Sequence, residues 1–192
     1  MISAKIHQVL KEASWIRKMF EQGAMLKAEH GAENVFDFSL GNPNVPPPPA
    51  FGECLLALAK NQNPGDHAYM PNTGYPSTRE AVARFVSSEQ GVSLSAKDVI
   101  MTCGAAGALN VILKALLDPG DEVIVPAPYF VEYGFYTANH GGGLVTVPTR
   151  DDFGLDVEAI SRGITSKTKV VLINSPNNPS GQVYSQESLL QL

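Results

Sequence analysis

From residue 98 onward the chain alternates short apolar runs with longer amphipathic ones, joined by connections of a few residues. The apolar runs at 98–102, 122–125, 144–147 and 169–173 read as strands. The segments 106–117, about 129–139 and 156–164 read as helices, and a further helix opens at Ser185. A helix placed between two strands carries the chain back along the sheet, so successive strands run parallel and the helices cover them. The expected fold class is therefore α/β, a mostly parallel sheet covered by helices. The sequence stops one or two turns into the last helix, which leaves the expected sheet with an edge strand open to a neighbour.

The first hundred residues are organised differently. Ile2, Ile6 and Val9 share one helical face over 2–11, and Ile16, Met19, Phe20 and Leu26 repeat the pattern over 14–29, with Gly31 as a stop. A short strand is expected at 35–38. The prolines from Pro46 to Pro49 impose an extended chain, because each fixes its own φ and restricts the residue before it. The expected division falls there: 1–49 as an N-terminal arm and small-domain segment, and 50–192 as the main body. A helix near 50–60, a loop at 61–74 that contains Tyr69, and a helix begun by Pro76 lead into the alternating region.

Composition narrows the function classes. A net charge of −5 argues against nucleic acid or an anionic membrane as partner. No apolar run approaches the roughly 18 residues that a membrane helix needs. The first residues carry charges where a signal peptide has its apolar stretch. Cys54 and Cys103 are far apart and read as free thiols, so a cytoplasmic location is expected. Charged residues make up 17% of the chain, below the usual quarter, which favours a subunit that covers part of its surface. The four histidines (His7, His30, His67 and His140) are too dispersed for a metal site, and no G-x-S-x-G elbow is present.

Two segments have the residue types that ligand chemistry needs. In D-V-I-M-T-C-G-A-A-G-A-L-N, Gly104, Ala105 and Ala106 form a small-residue turn at the start of a helix. Unpaired N–H groups and partial positive charge at that end suit a phosphate dianion, although small residues there equally let a helix pack closely on its strand. No G-x-G-x-x-G or G-x-x-x-x-G-K-[ST] motif accompanies it. In V-V-L-I-N-S-P-N-N-P-S-G-Q-V-Y a strand opens into a turn with two prolines and three asparagines. Loops at the carboxyl ends of parallel strands are where ligands sit, and Asn178 is placed to offer its amide there. By itself the segment also reads as an ordinary turn.

Taken together, the segments resemble the class I/II pyridoxal-phosphate-dependent aminotransferases. N-S-P-N-N-P-S-G is similar to that family's most distinctive signature and follows C-G-A-A-G-A-L at the family's spacing. D-P-G-D-E-V-I-V-P-A-P-Y-F, Y-M-P-N-T-G-Y-P-S-T-R-E and F-S-L-G-N-P-N match further segments in the same order. The resemblance implies an aspartate-aminotransferase-like fold of type I and transfer of an amino group between an amino acid and a 2-oxo acid. It implies that Gly104, Ala105 and Ala106 hold the cofactor phosphate. Phe130, or Tyr129 if the alignment slips by one, stacks on the pyridine ring. Asn178 hydrogen-bonds the cofactor's phenolic oxygen and helps keep it ionised. Tyr69 reaches the phosphate in a partner subunit of a homodimer, and Gly41 lets the backbone approach the substrate carboxylate.

The family's covalent lysine, its aspartate at the pyridine nitrogen and its carboxylate-clamping arginine have no counterpart before Leu192. The resemblance thus implies an N-terminal half, inactive alone, with weak or no cofactor binding. Lys167 and Lys169 lie in a polar stretch before the last strand and read as solvated charges. Other reactions on the same fold, such as β-elimination at a carbon–sulfur bond or a cyclopropane-forming synthesis, and a non-catalytic cofactor- or anion-binding fragment, are the alternatives.

Overall fold

Helix boundaries in this chain follow its prolines and glycines closely. A computed structural model describes residues 2–12, 14–38, 41, 43 and 45–192, with side chains for all of these except 5, 9, 11, 12 and 14–17. The side chains of Val9 and Ile16, and the loop residues Leu40 and Asn42, therefore lie outside what is described. The chain divides into two compact units, residues 1–68 and residues 69–192.

The first unit is helical. Helix α1 spans Ala4–Glu12 and α2 spans Ser14–His30. Gly31, at φ 84°, follows α2 and leads into a single 3-10 turn at Ala32–Asn34. Helix α3 spans Pro49–Lys60, with a proline in its first turn, where the missing N–H costs nothing. The expected strand at 35–38 does not form. Phe36 and Phe38 are exposed, Asp37 is drawn into an ion pair with Lys27 at 2.7 Å, and no strand among the described residues of this unit pairs with the segment.

The second unit contains the sheet. Helix α4 spans Pro76–Gln90 and closes on Gly91 in the left-handed region, and helix α5 spans Gly104–Leu116. Strand β1 (Glu122–Ala127), helix α6 (Glu132–Asn139), strand β2 (Gly143–Pro148), helix α7 (Val157–Gly163), strand β3 (Thr168–Val171) and helix α8 (Gln186–Leu190) follow. The sheet order is β2-β1-β3 and both pairings are parallel, as the alternation requires. Glu122 pairs with Thr168 but Val123 with Val170, so β3 bulges at Lys169.

Period-two alternation along β1 sends its side chains to two cores. Val123 and Val125 pack with Leu113 and Leu117 from the α5 side, with Tyr133 of α6 and with Leu172. Ile124, between them in sequence, packs with Val147, Leu155, Ala159, Ile160 and Tyr184 on the other face. Helices therefore cover both faces of the sheet. Pro126 is tolerated inside this central strand for a geometric reason. Ile124 accepts from Leu172 at 2.8 Å on the β3 side, and alternate residues face the same neighbour, so the missing donor at 126 points where the β3 ladder has already ended.

The expected strand at 98–102 is not part of this sheet. Its start is taken up by a 3-10 turn, Ala96–Asp98, and Val99 then has extended dihedrals (φ −119°, ψ 130°). Among the described residues, the segment's backbone cross-link is the bond from Met101 N–H to Thr73 at 3.0 Å. Gly74 permits that approach: a Cβ there would stand 2.6 Å from Met101 Cγ. The periodicity was that of a strand, but a strand also needs a ladder partner, and the described residues supply none.

Candidate active site

Three segments reach the carboxyl end of the sheet. Helix α5 ends at Leu116, and a tight turn closed by Asp121 N–H to Asp118 (3.1 Å) delivers the chain to the start of β1. A 13-residue helix and a six-residue strand are each about 20 Å long. The first turn of α5 therefore lies level with the carboxyl end of β1. Residues 128–131 leave β1 at that end, and residues 172–184 leave β3 there.

The α5 turn depends on Gly104. Its φ of 66° lies in the left-handed region, where a Cβ is disfavoured. In this conformation Gly104 N–H donates to the Thr102 carbonyl at 2.9 Å, and Thr102 Oγ1 donates to the Gly104 carbonyl at 2.9 Å. Gly107 N–H donates to Cys103 at 3.3 Å, and the Cys103 side chain provides no cap. The N–H groups of Ala105 and Ala106, both exposed, are left without an acceptor among the described residues. Two free donors at the positive end of a helix suit an anion, so a phosphate fits this turn.

Phe130 and Tyr129 are half-buried against the α5–α6 core. Tyr133 holds both: its ring lies nearly parallel to Tyr129 (centroids 6.5 Å apart, 15°) and edge-on to Phe130 (5.6 Å, 82°). Burial raises the Tyr133 phenol above the usual tyrosine range, and the neighbouring Tyr136 and Tyr184 add to the shift. Both aromatic candidates are thus rigidly mounted beside the end of β1.

Asn178 is exposed, and its backbone N–H donates to Asn174 Oδ1 at 2.8 Å. The sequence reading missed the residues that shape this turn, Asn174, Asn177, Ser180 and Tyr184. The signal was present: an asparagine or serine followed closely by proline or glycine closes its own turn through its side chain. Lys167 stands at the opposite end of the sheet, where its carbonyl accepts from Glu122 N–H at 2.8 Å. Lys169 sits at the β3 bulge, its side chain exposed.

The remaining candidates lie elsewhere. The Tyr69 side chain, at the start of the second unit, is fully exposed. Gly41 belongs to the first unit, and a Cβ there would meet nothing within 4 Å. Cys54 and Cys103 are free and exposed. Among the described residues, no cluster of metal-ligating side chains occurs and no helix is long and apolar enough to cross a membrane.

The parallel, helix-covered sheet agrees with the comparison to known proteins. The family model for aminotransferase class I and II matches residues 33–192. The chain belongs to that family. It is 36% identical over 162 residues to the probable aspartate/prephenate aminotransferase of Aquifex aeolicus, covering 83% of this chain and 40% of that protein. It is 30% identical over 189 residues to the probable aspartate aminotransferase of Methanocaldococcus jannaschii, covering 98% and 47%. Among solved structures, an amino transferase from Eubacterium rectale superposes with a TM-score of 0.92 at 38% identity, covering 98% of this chain and 48% of that one. The chain thus spans 40% and 47% of the length of these two relatives.

Proposed function

We propose that this family member takes part in moving an amino group between an amino acid and a 2-oxo acid with pyridoxal phosphate as cofactor. The observation that carries the reading is the pair of unpaired N–H donors at Ala105 and Ala106, held by the left-handed Gly104. When bound, pyridoxal phosphate supplies an aldehyde that takes up the amino group and a ring that accommodates the electron pair left at the α-carbon.

The chain's own residues bind and orient. Ala105 and Ala106 donate to phosphate oxygens, and the α5 dipole adds to the attraction. Phe130, with Tyr129 the second choice, fixes the plane of a flat ring. Asn178 donates its side-chain amide to a phenolate oxygen and favours the ionised form. Gly41 leaves room for a substrate carboxylate. Tyr69, its ring fully exposed, is available to a second copy, so the site is shared in a homodimer. Several relatives are named for aspartate, which supports a dicarboxylic amino acid as one substrate and favours amino transfer over β-elimination.

The test follows labelled nitrogen from aspartate or glutamate into 2-oxo acids, using the gene product that carries this chain with pyridoxal phosphate added. Label in the new amino acid, lost in Ala105→Asp, supports the reading. Release of ammonia without transfer would replace it with an elimination.

A further inference from the structure

The turn after β3 is held by a side chain that the cofactor roles above leave unused. Asn177 is 7% exposed, whereas its neighbour Asn178 is exposed. The Asn177 N–H donates to the Gln182 carbonyl at 2.8 Å, and its own carbonyl accepts from Gly181 N–H at 2.7 Å. Its Oδ1 accepts from Ser180 N–H at 3.2 Å and from Ser180 Oγ at 2.9 Å. Burial raises the Tyr184 phenol, and the neighbouring Asn177 side chain acts in the opposite direction. That ring is buried with Ile124, Val147, Leu155 and Ile160, and Tyr184 N–H returns to Ser175 Oγ at 3.0 Å.

The backbone of Asn177 thus closes on residues 181 and 182, and its side chain fixes Ser180 between them, beside the buried Tyr184. Buried polar groups are costly when unpaired, so this network has one low-energy arrangement. Asn178 follows directly in the chain, and its N–H is held by Asn174 Oδ1 at 2.8 Å. A rotation of the Asn177 peptide would re-aim the Asn178 side chain.

We propose that Asn177 is a positioning residue that locks the 174–182 turn in the conformation presenting Asn178 at the carboxyl end of the sheet. The inference rests on the reading of Asn178 as a cofactor-facing residue. Asn177→Ala strips the acceptor from Ser180 and the polar neighbour from the Tyr184 phenol while leaving the apolar contacts of the sheet in place. Asn177→Asp keeps an acceptor for Ser180 and offers one to the phenol O–H. Tyr184→Phe removes the phenol alone and keeps its packing.

The test is residue-resolved amide hydrogen exchange on the full 192-residue chain without cofactor. In Asn177→Ala the amides of Asn178, Ser180 and Gly181 are expected to exchange about tenfold faster or more, with β1 amides at the wild-type rate. Asn177→Asp restores most of the protection, and Tyr184→Phe loosens the same amides by a smaller factor. The last variant decides the matter if Asn177→Ala fails to fold. Unchanged exchange at Asn178 overturns the proposal. So does an equal acceleration throughout β1, which would make Asn177 a general support of the fold, and so does failure of the aspartate to rescue. Asn178→Ala tests the underlying reading separately: unchanged pyridoxal phosphate affinity there would remove the cofactor role of Asn178 while leaving the exchange pattern intact.

Discussion

At the scale of single residues, Gly104 decides whether the α5 turn exists. Nothing lies within 4 Å of where its Cβ would stand, so the cost of a side chain is conformational and not steric crowding. Gly104→Ala is expected to cost about 1–2 kcal/mol, read as a lower urea midpoint, because alanine is forced into the left-handed region. An unchanged midpoint would mean the turn relaxes to another conformation. The small-residue turn, Tyr129, Phe130 and Asn178 were legible in the sequence because each is a local pattern or a match to a known motif. The supporting network was not. Asn177 looks like any turn asparagine until its burial is known, and its approach to the buried Tyr184 depends on how the loop folds back.

At the scale of elements, ends were easier to read than partners. Pro76 opens α4, Gly31 follows α2 and Ser185 caps the last helix, all from local chemistry, whereas Pro49, expected in an extended run, takes the first position of α3. The 35–38 and 98–102 segments were misread because an apolar run indicates a strand only if another segment completes its ladder. At 95–98 the local chemistry went the other way. Ser95 and Asp98 form a capping box, with Ser95 N–H donating to Asp98 Oδ2 at 2.9 Å and Ser95 Oγ at 2.8 Å. These bonds, the backbone one first, hold the Asp98 carboxyl below its ordinary value. A depressed carboxylate contributes stability that is present above its unfolded pKa and lost as pH falls through the folded one. An NMR titration of Asp98 should therefore show a midpoint below that of free aspartate, moved upward in Ser95→Ala. A midpoint unmoved by that substitution would contradict the capping box. On α7, Asp156 caps Ala159 N–H at 2.8 Å, and Asp156→Ala should cost about 1 kcal/mol in urea denaturation.

At the scale of the whole molecule, the sheet unit derives its order from one central strand shared by two cores. Ile124 is completely buried on the α7 face. Ile124→Ala should lower the stability of that unit by about 2–5 kcal/mol, seen as a shifted urea transition, and a shift under 1 kcal/mol would mean the core refills the cavity. The same strand sets the level of the three segments that reach the carboxyl end of the sheet, which is how packing places the candidate site. The most direct test of the phosphate turn is a titration of pyridoxal phosphate into the isotope-labelled gene product that carries this chain, followed by amide NMR, for the wild type and Ala105→Asp. Aspartate in the first turn favours the helix while repelling a phosphate, so a loss of binding there is not a loss of fold. Saturable shifts are expected, largest at the Ala105 and Ala106 amides and absent in Ala105→Asp. Stationary Ala105 and Ala106 amides, or equal binding by Ala105→Asp, would contradict the phosphate role of this turn.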